Sequence, residues 1–406
     1  MSSPPGATDS ADCSYGSFRE VLPPILFLTL LFFLNFAARI FFAPLLPVIE
    51  AELQISHAAS GAFFFFISSG YFVSILLSGF VARRLNHKRT IALSVVGAGS
   101  VLLIVGLCTT LLQLRLVLFC LGLTAGLYLP SALATITRLV TPAYQTRGLA
   151  VHELAPNLAF VMAPLLCELM LSLLSWRQGI GLFGVLLILV GCCYYLFSRG
   201  CAEYGSAPDL EIVTFYLRMP QFWVVTLLFS LAICSTLGIF TMLPLFLVAD
   251  HGMETEQANG LVAVSRVASI GMVMVGGWLG DRFGNRVVVA LALMTGGAMT
   301  VFLGLCPDRL LLFPVILQPM IAVLFFPSGF AIISRMGPRE MGNIGVSLVI
   351  PLAFLVGGGV IPTLIGVVGD HFSIGIGIAG AGIMMFFGGV TPFFVSFSRR
   401  FSGKIS

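Results

Sequence analysis

Long apolar runs recur along almost the whole chain, and most approach the roughly 20 residues that a helix needs to cross a hydrocarbon core. Hydrophobic residues make up 58% of the 406 residues and charged residues only 9%, whereas a soluble domain has about a quarter charged. Backbone groups inside lipid must be hydrogen-bonded within the protein, and a helix does this within one segment. The sequence therefore predicts an all-α integral membrane protein.

We place twelve membrane-spanning helices on these runs, which puts both termini on one side of the membrane. Of the lysines and arginines in loops, tails or at the ends of spans, only Arg115, Arg177 and Arg309 fall on the opposite side. Cytoplasmic loops retain positive charge, so both termini are predicted to be cytoplasmic, in the inner membrane if the cell is Gram-negative. The predicted spans 1 to 12 are 22–47, 58–82, 90–110, 114–137, 148–172, 179–197, 221–246, 257–280, 287–306, 310–334, 342–367 and 374–397.

A polar stretch between spans 6 and 7 divides the chain into two near-equal halves. We predict a cytoplasmic linker at 198–220 between an N-terminal six-helix bundle at 21–197 and a C-terminal six-helix bundle at 221–397. Residues 1–20 are rich in Ser, Pro, Gly and Asp and lack the pattern of a signal peptide. They are predicted to form a disordered cytoplasmic tail, and 398–406 a short C-terminal one.

Internal repetition relates the two halves. The segment GFVARRLNHKR at Gly79–Arg89 follows span 2, and GGWLGDRFGNR at Gly276–Arg286 follows span 8. In span 5, LAFVMAP at Leu158–Pro164 corresponds to LAFLVGGGVIP at Leu352–Pro362 in span 11. Duplicated halves are typical of transporters in which two bundles move around a site at the membrane midplane.

The loop after span 8 resembles the G-x-x-x-D-R-x-G-x-R motif of the major facilitator superfamily, with Gly277, Asp281, Arg282, Gly284 and Arg286 at the motif positions. The resemblance extends over everything after residue 20. It implies two pseudo-symmetric six-helix bundles and secondary transport by alternating access. An aspartate among arginines can form a charge-assisted latch between the halves on the cytoplasmic face. The alternative is a turn without a gating role.

The first-half copy of this loop departs from the motif. Arg83 stands at the aspartate position and Asn86 at the second glycine position. An equivalent latch in the N-terminal half is therefore not expected.

Two arginines fall inside predicted spans, where an ionisable group costs several kcal/mol unless it faces protein or a water-filled cavity. Arg39 in span 1 and Arg266 in span 8 lie at comparable depth, one in each half. The planar guanidinium suits carboxylate or phosphate oxygens. The pair therefore predicts a central cavity that binds an anion. In the alternative, each arginine ties helices together through backbone carbonyls.

Three amide side chains are further candidates for this site: Asn35 on the face of Arg39, Asn157 in span 5 and Gln318 in span 10. The span 1 pattern N-x-x-x-R-x-x-x-x-P-x-x-P resembles that of anion-carrying branches of the superfamily. Arg266 resembles the carboxylate-binding arginine of monocarboxylate and oxalate/formate transporters. Together these resemblances favour an anion without naming it. We predict a small organic anion, a carboxylate, as the substrate.

His152 and Glu153 are adjacent about two turns inside the cytoplasmic end of span 5. Histidine changes charge near neutral pH and a carboxylate can also accept a proton, so either could carry a coupling proton in symport. The alternative is a structural pair that binds the loop between spans 4 and 5, for example through Arg147.

Several other functions are disfavoured. The nine cysteines show neither CxxC nor Cys/His ligand spacing, so no metal or cofactor is predicted. The net charge of +4 is spread over short loops, so no nucleic-acid partner is predicted. We expect a monomer whose partners are an anionic small molecule, the lipid bilayer and, with coupling, protons.

Three alternatives remain open. Efflux of an amphipathic drug or lipid would favour a larger apolar cavity with a single acidic residue. A non-transporting receptor or assembly factor on the same fold would favour an added soluble domain. An integral membrane enzyme would need a nucleophile with its base, or a set of metal ligands, and neither is recognisable.

Overall fold

The computed structural model describes residues 18–141, 144–198, 204–205, 210–334, 336 and 342–394. Within these residues the chain is helical and contains no β-strand. Residues 1–17 of the predicted N-terminal tail, the C-terminal tail at 398–406 and most of the first half of the predicted linker lie outside them. Eleven helices in the described part are long and apolar enough to cross a membrane.

One of these eleven helices accounts for two spans. His57–Val105 has 49 residues, which at 1.5 Å per residue is about 74 Å, more than twice the ~30 Å of a hydrocarbon core. The backbone leaves the helical region at Asn86, with φ 63° and ψ 166°. Spans 2 and 3 therefore lie on either side of Asn86, and the described chain crosses the membrane twelve times, as predicted.

The N-terminal half contains spans 1 to 6. Span 1 is longer than predicted at both ends, because its helix already begins at Phe18 and its second segment ends at Leu53. In order, the spans are Phe18–Ile40 with Phe42–Leu53, the two parts of His57–Val105, Leu111–Ala125 with Tyr128–Leu139, Gln145–His152 with Leu154–Leu171, and Trp176–Phe197.

The C-terminal half contains spans 7 to 12 and is preceded by a short linker helix, Leu210–Leu217. Spans 7 and 11 each contain a π-helical turn, at Cys234–Gly238 and Val356–Val360. In order, the spans are Pro220–Ile233 with Ile239–Ala249, Thr255–Ser269 with Met272–Phe283, Asn285–Leu305, Leu312–Ala322 with Phe325–Ile333, Gly342–Leu355 with Ile361–His371, and Ile374–Gly388.

The repeated loops after spans 2 and 8 turn in the same way. Asn86 has φ 63° and ψ 166°, and Gly284 has φ 86° and ψ 139°, a region of positive φ that glycine enters freely and other residues rarely adopt. Asn86 Oδ1 accepts a hydrogen bond from the backbone N–H of Arg89 at 3.0 Å, as an N-terminal cap of span 3. Asparagine can therefore replace the glycine of the repeat without loss of the turn.

We call the side of the membrane with these two turns, Phe18 and Phe394 the terminal side, and the opposite side the distal side. Each half has a carboxylate on the distal side that ties its first span to its sixth. Glu52 accepts a hydrogen bond from Trp176 Nε1 at 2.5 Å, and Asp250 accepts one from the backbone N–H of Gly375 at 2.7 Å. The two halves thus share this contact between their first and sixth spans as well as their topology.

Two further carboxylates join the halves at the distal side. Asp370, at the end of span 11, accepts hydrogen bonds from the backbone N–H groups of His57 at 2.7 Å and Ala58 at 3.1 Å. These N–H groups belong to the first turn of span 2, where backbone donors lack partners within the helix and a negative charge is stabilising. Asp370 is therefore a helix cap supplied by the other half.

The second of these carboxylates, Glu168 near the end of span 5, accepts a hydrogen bond from Asn259 near the start of span 8. The same amide nitrogen lies 3.2 Å from the Pro44 carbonyl of span 1. Spans 5 and 11 are the fifth spans of their halves, and spans 8 and 2 are the second. The halves are therefore closed at the distal side by two contacts related by the pseudo-symmetry.

Removal of the Asp370 carboxylate should loosen this closure. In Asp370→Ala, the first turn of span 2 keeps its Ser56 cap but loses the acceptor for the N–H groups of His57 and Ala58, a loss that typically costs about 0.5–2 kcal/mol. Spin labels at the exposed Leu173 and Glu256, one in each half, should then report a larger population of long distances by double electron–electron resonance.

Asp308→Ala is the matched control, because Asp308 is a distal carboxylate that contacts His251 of its own half. The control should leave the distance distribution unchanged. An unchanged distribution in Asp370→Ala would show that the closure does not depend on this carboxylate.

Candidate functional site

Arg39 lies in the last turn of the first helical segment of span 1 and is 7% exposed. Its Cζ lies 4.8 Å from the ring centroid of Phe36, 4.2 Å from that of Tyr71 and 5.9 Å from that of Phe354. Phe354 belongs to span 11, so Arg39 reaches the opposite half. Its Nε is buried without a hydrogen-bond partner.

Arg266 lies in the last turn of the first helical segment of span 8 and is 3% exposed. One terminal nitrogen donates to the Thr236 carbonyl at 2.7 Å, in the π-helical turn of span 7. Its Cζ lies 4.7 Å from the ring centroid of Phe160, in span 5 of the opposite half, and 4.9 Å from that of Phe240. The Arg266 Nε also lacks a partner.

Aromatic rings connect the two arginines. The Phe36 and Phe160 centroids are 5.2 Å apart, and the Phe160 and Phe240 centroids are 4.8 Å apart, both edge to face. The two guanidiniums, one from each half, thus flank one group of rings at the interface between the halves. We call this group the aromatic cluster; its members are Phe36, Tyr71, Phe160, Phe240 and Phe354.

The two arginines have no carboxylate partner among the described residues. The ion pairs there involve His57, His152, Arg177 and His251. A cation–π contact contributes about 0.5–2 kcal/mol, whereas burial of an ion costs several kcal/mol. The cost of burial is therefore offset only in part by the ring faces, one backbone carbonyl and the negative ends of two helix segments. The interface retains an excess of positive charge.

Asn35 and Asn157, two of the predicted amides, bond away from the arginines. Asn35 Nδ2 donates to Ser94 Oγ at 3.2 Å and to the Ala125 carbonyl at 3.4 Å, both in its own half. Asn157 Nδ2 donates to the Glu153 carbonyl of its own helix at 3.2 Å. The expectation that Asn35 shares a ligand with Arg39 gains no support from these contacts.

Gln318, the third predicted amide, ties three helices of the C-terminal half together. Its Nε2 lies 2.8 Å from the Ser235 carbonyl and 3.2 Å from Thr300 Oγ1. It is 1% exposed. Its amide nitrogen stabilises the π-helical turn of span 7 and is not directed at the aromatic cluster.

His152 and Glu153 lie at a break between the two helical segments of span 5. The His152 ring is fully buried and stacks on Phe32 at 4.5 Å between centroids. Its Nε2 lies 3.3 Å from Tyr128 Oη, and its Nδ1 lies 3.7 Å from Glu153 Oε1. The Glu153 side chain is 57% exposed. The structure therefore brings the predicted pair together and adds Tyr128.

Hydrogen bonding defines where a proton can be held in this group. Tyr128 Oη donates to the Leu28 carbonyl at 2.5 Å, so it accepts a hydrogen bond from His152 Nε2–H. In the neutral imidazole Nδ1 is then unprotonated. A second proton would go to Nδ1, which faces the Glu153 carboxylate. Nδ1 of His152 is buried without a hydrogen-bond partner and lies 3.7 Å from the carboxylate of Glu153.

Arg147, the alternative partner of His152 and Glu153, contacts a different residue. Arg147 Cζ lies 5.6 Å from the Tyr144 ring centroid. An ion pair between Arg147 and Glu153 is not among those of the described residues.

The predicted gate loop makes contacts within the C-terminal half. Arg286 donates to the carbonyls of Pro392 at 2.5 Å and of Phe393, at the end of span 12. Gly284 forms the left-handed turn, and Gly277 would accommodate a Cβ atom, whose nearest contact would be Pro327 at 3.9 Å.

Two charged residues of this loop, Asp281 and Arg282, are exposed. Asp281 has no ion-pair partner among the described residues, and Arg282 Cζ lies 5.5 Å from the Trp278 ring centroid. A latch between the halves through Asp281 stays a prediction.

Sequence reasoning missed Phe160 and Phe354 as arginine contacts, Tyr128 as a partner of His152, and Glu168 and Asp370 as contacts between the halves. The repeated Leu-Ala-Phe of spans 5 and 11 was a usable signal for the two phenylalanines. Among the described residues, no group of three or more His, Cys, Asp or Glu side chains is placed to hold a metal ion.

Solved structures of transporters share the fold. A bacterial homologue of the human lysosomal transporter Spinster, in an inward-facing and occupied conformation, is similar with a TM-score of 0.78 and 16% identity, over 93% of this chain and 97% of that chain. A peptide transporter in complex with sulfate has a TM-score of 0.76 and 13% identity, over 94% and 96%. The nucleoside transporter NupG has a TM-score of 0.72 and 15% identity, over 92% and 99%.

Sequence comparisons give the family. An uncharacterised MFS-type transporter of Bacillus subtilis (strain 168), YceJ, is 21% identical over 310 residues, which cover 74% of this chain and 78% of the relative. The sequence profile of the Major Facilitator Superfamily matches residues 28–347. The chain, with its twelve spans in two related halves, belongs to the major facilitator superfamily.

Proposed function

We propose that this chain is a secondary transporter that moves a small organic anion, a carboxylate, across the membrane by alternating access. The observation that carries the proposal is the pair Arg39 and Arg266, buried at the interface between the halves without a carboxylate partner among the described residues. An unpaired buried charge is unfavourable. A bound anion would supply the missing charge and accept hydrogen bonds from both free Nε–H groups.

The fold alone does not select this substrate, because similar structures include a nucleoside transporter and a peptide transporter. The site chemistry favours an anion over an amphipathic cation. A cationic drug would be repelled by two guanidiniums, and the described ion pairs leave no carboxylate beside them.

We propose that the protein is a monomer in the cell membrane, with the terminal side in the cytoplasm. The distribution of Lys and Arg supports this orientation. The distal closure by Asp370 and Glu168 then faces the outside. In this orientation the described state separates the arginines from the external medium, and the anion is exchanged with the outside when the distal contacts open.

We also propose that transport is coupled to protons through His152 and Glu153. Entry of an anion into a negatively charged cell is unfavourable, and a co-transported proton cancels that charge. The group can hold one additional proton between His152 Nδ1 and the exposed Glu153 carboxylate. The exposed Glu153 carboxylate gives the proton access from water, and the buried His152 ring holds the proton inside the protein.

Replacement of either arginine should weaken binding. Arg266→Lys retains the charge but loses the planar fork, and Arg39→Gln removes the charge. Affinity for a transported carboxylate should fall by about 1–3 kcal/mol in each variant, as for the loss of a charge-assisted hydrogen bond. Isothermal titration of the purified protein in nanodiscs measures the change.

Arg309→Lys, at an exposed arginine of a distal loop, is the matched control and should bind normally. If the Arg39 and Arg266 variants bind and transport carboxylates like the unaltered protein, the anion proposal is wrong and efflux of amphipathic compounds becomes the better explanation.

Loss of the proton site should separate exchange from accumulation. In His152→Gln and Glu153→Gln, proteoliposomes should no longer accumulate substrate in response to a pH gradient, because neither variant can hold the coupling proton. Counterflow exchange, which needs no net proton movement, should continue. His371→Gln changes an exposed distal histidine and should accumulate substrate normally. Retained pH-driven accumulation in both variants would leave the pair a structural role only.

The orientation can be tested with single cysteines in a variant that lacks the native ones. A cysteine at the exposed Asp281 on the terminal side should resist an impermeant thiol reagent in intact cells, and one at the exposed Leu173 should react. Asn86 is a poor reporter position, since it is buried and holds a left-handed turn. The reverse labelling pattern would invert the topology.

A further inference from the structure

The repeated sequence Leu-Ala-Phe places equivalent phenylalanines over the two arginines. Phe160 is the last residue of the copy in span 5, and Phe354 is the last residue of the copy in span 11. The Phe160 ring centroid lies 4.7 Å from Arg266 Cζ, and the Phe354 ring centroid lies 5.9 Å from Arg39 Cζ. Each ring thus covers the arginine of the other half, so the duplication supplies one aromatic face to each guanidinium.

These two rings are the more accessible part of the aromatic cluster. Phe160 and Phe354 are partly exposed, whereas Phe36 is 4%, Tyr71 2% and Phe240 0% exposed. The two arginines are 7% and 3% exposed. Of the cluster, Phe160 and Phe354 therefore keep the most ring surface free for contact with a ligand.

The polar groups of the neighbourhood are committed elsewhere. Asn35 donates into its own half, Gln318 donates to the π-helical turn of span 7, and Thr236 Oγ1 donates to the Ala232 carbonyl at 3.1 Å. A ligand is offered two guanidiniums, the hydroxyl of Tyr71 and several ring faces. This composition suits one anionic group on a flat apolar body and provides few partners for the hydroxyl or amide groups of sugars and nucleosides.

We propose that Phe160 and Phe354 are specificity-determining residues that hold the flat ring of an aromatic carboxylate beside the two guanidiniums. The inference rests on the proposed anion transport and narrows its substrate class. The carboxylate binds the free guanidinium donors. The ring stacks against a guanidinium face or packs edge to face with the phenylalanines, at the 4.5–7 Å centroid spacing typical of aromatic pairs.

Two ligands of equal charge and similar size separate ring recognition from anion recognition. Benzoate has a π face and cyclohexanecarboxylate has none. Isothermal titration of the full chain in nanodiscs should give benzoate the lower Kd by at least about twofold, since contacts with a ring face contribute about 0.5 kcal/mol or more. Equal Kd values for the two ligands would overturn the inference.

Variants assign the preference to the two rings. Phe160→Met and Phe354→Met keep an apolar side chain of similar size but remove the ring, so the ratio of the two Kd values should fall towards one. Phe160→Tyr keeps the ring and should keep the ratio. Phe302→Met is the matched control, because Phe302 packs against Phe313 at 6.4 Å between centroids and should leave the ratio unchanged.

The outcomes distinguish this inference from the proposed function. If neither benzoate, cyclohexanecarboxylate nor acetate binds the unaltered protein, anion transport itself is contradicted. If carboxylates bind with loss of affinity in Arg266→Lys, but the methionine variants keep the benzoate preference, the anion site stands and the role of the two rings is wrong. If one methionine variant does not fold, the other variant, in the equivalent span, tests the same prediction.

Discussion

Burial of positive charge without a carboxylate partner is the interaction around which the centre of this protein is organised. Arg39 and Arg266 lie at the interface of two helical bundles, and among the described residues the aromatic cluster, a carbonyl and two helix ends take the place of counter-ions. Such an arrangement is only partly compensated. An anion would complete it, which gives a ligand a thermodynamic reason to bind between the halves.

The same contacts tie ligand binding to the arrangement of the halves. Phe160 over Arg266 and Phe354 over Arg39 each join the two bundles, as do Asp370 and Glu168 at the distal side. A ligand that binds the guanidiniums competes with the rings of the aromatic cluster for contact with them. It can therefore shift the balance between arrangements of the bundles through its differential contacts with each.

The sequence was sufficient for the fold class, the twelve spans and their division into two halves, because hydrophobic length and duplication are properties of single segments. It also predicted both buried arginines, since charge inside an apolar run is rare. The contacts of Asn35, Gln318, Glu168 and Asp370 were not predicted. They depend on the rotation of one helix against another, and a shift of one residue turns a side chain by about 100°.

The most direct test of the central claim is nitrogen-15 NMR of the arginine Nε–H groups in nanodiscs, with the signals of Arg39 and Arg266 assigned by Arg39→Lys and Arg266→Lys. In the structure neither Nε has a hydrogen-bond partner. A bound carboxylate should shift both signals with one common Kd. Saturable carboxylate binding that leaves both signals unchanged would contradict it.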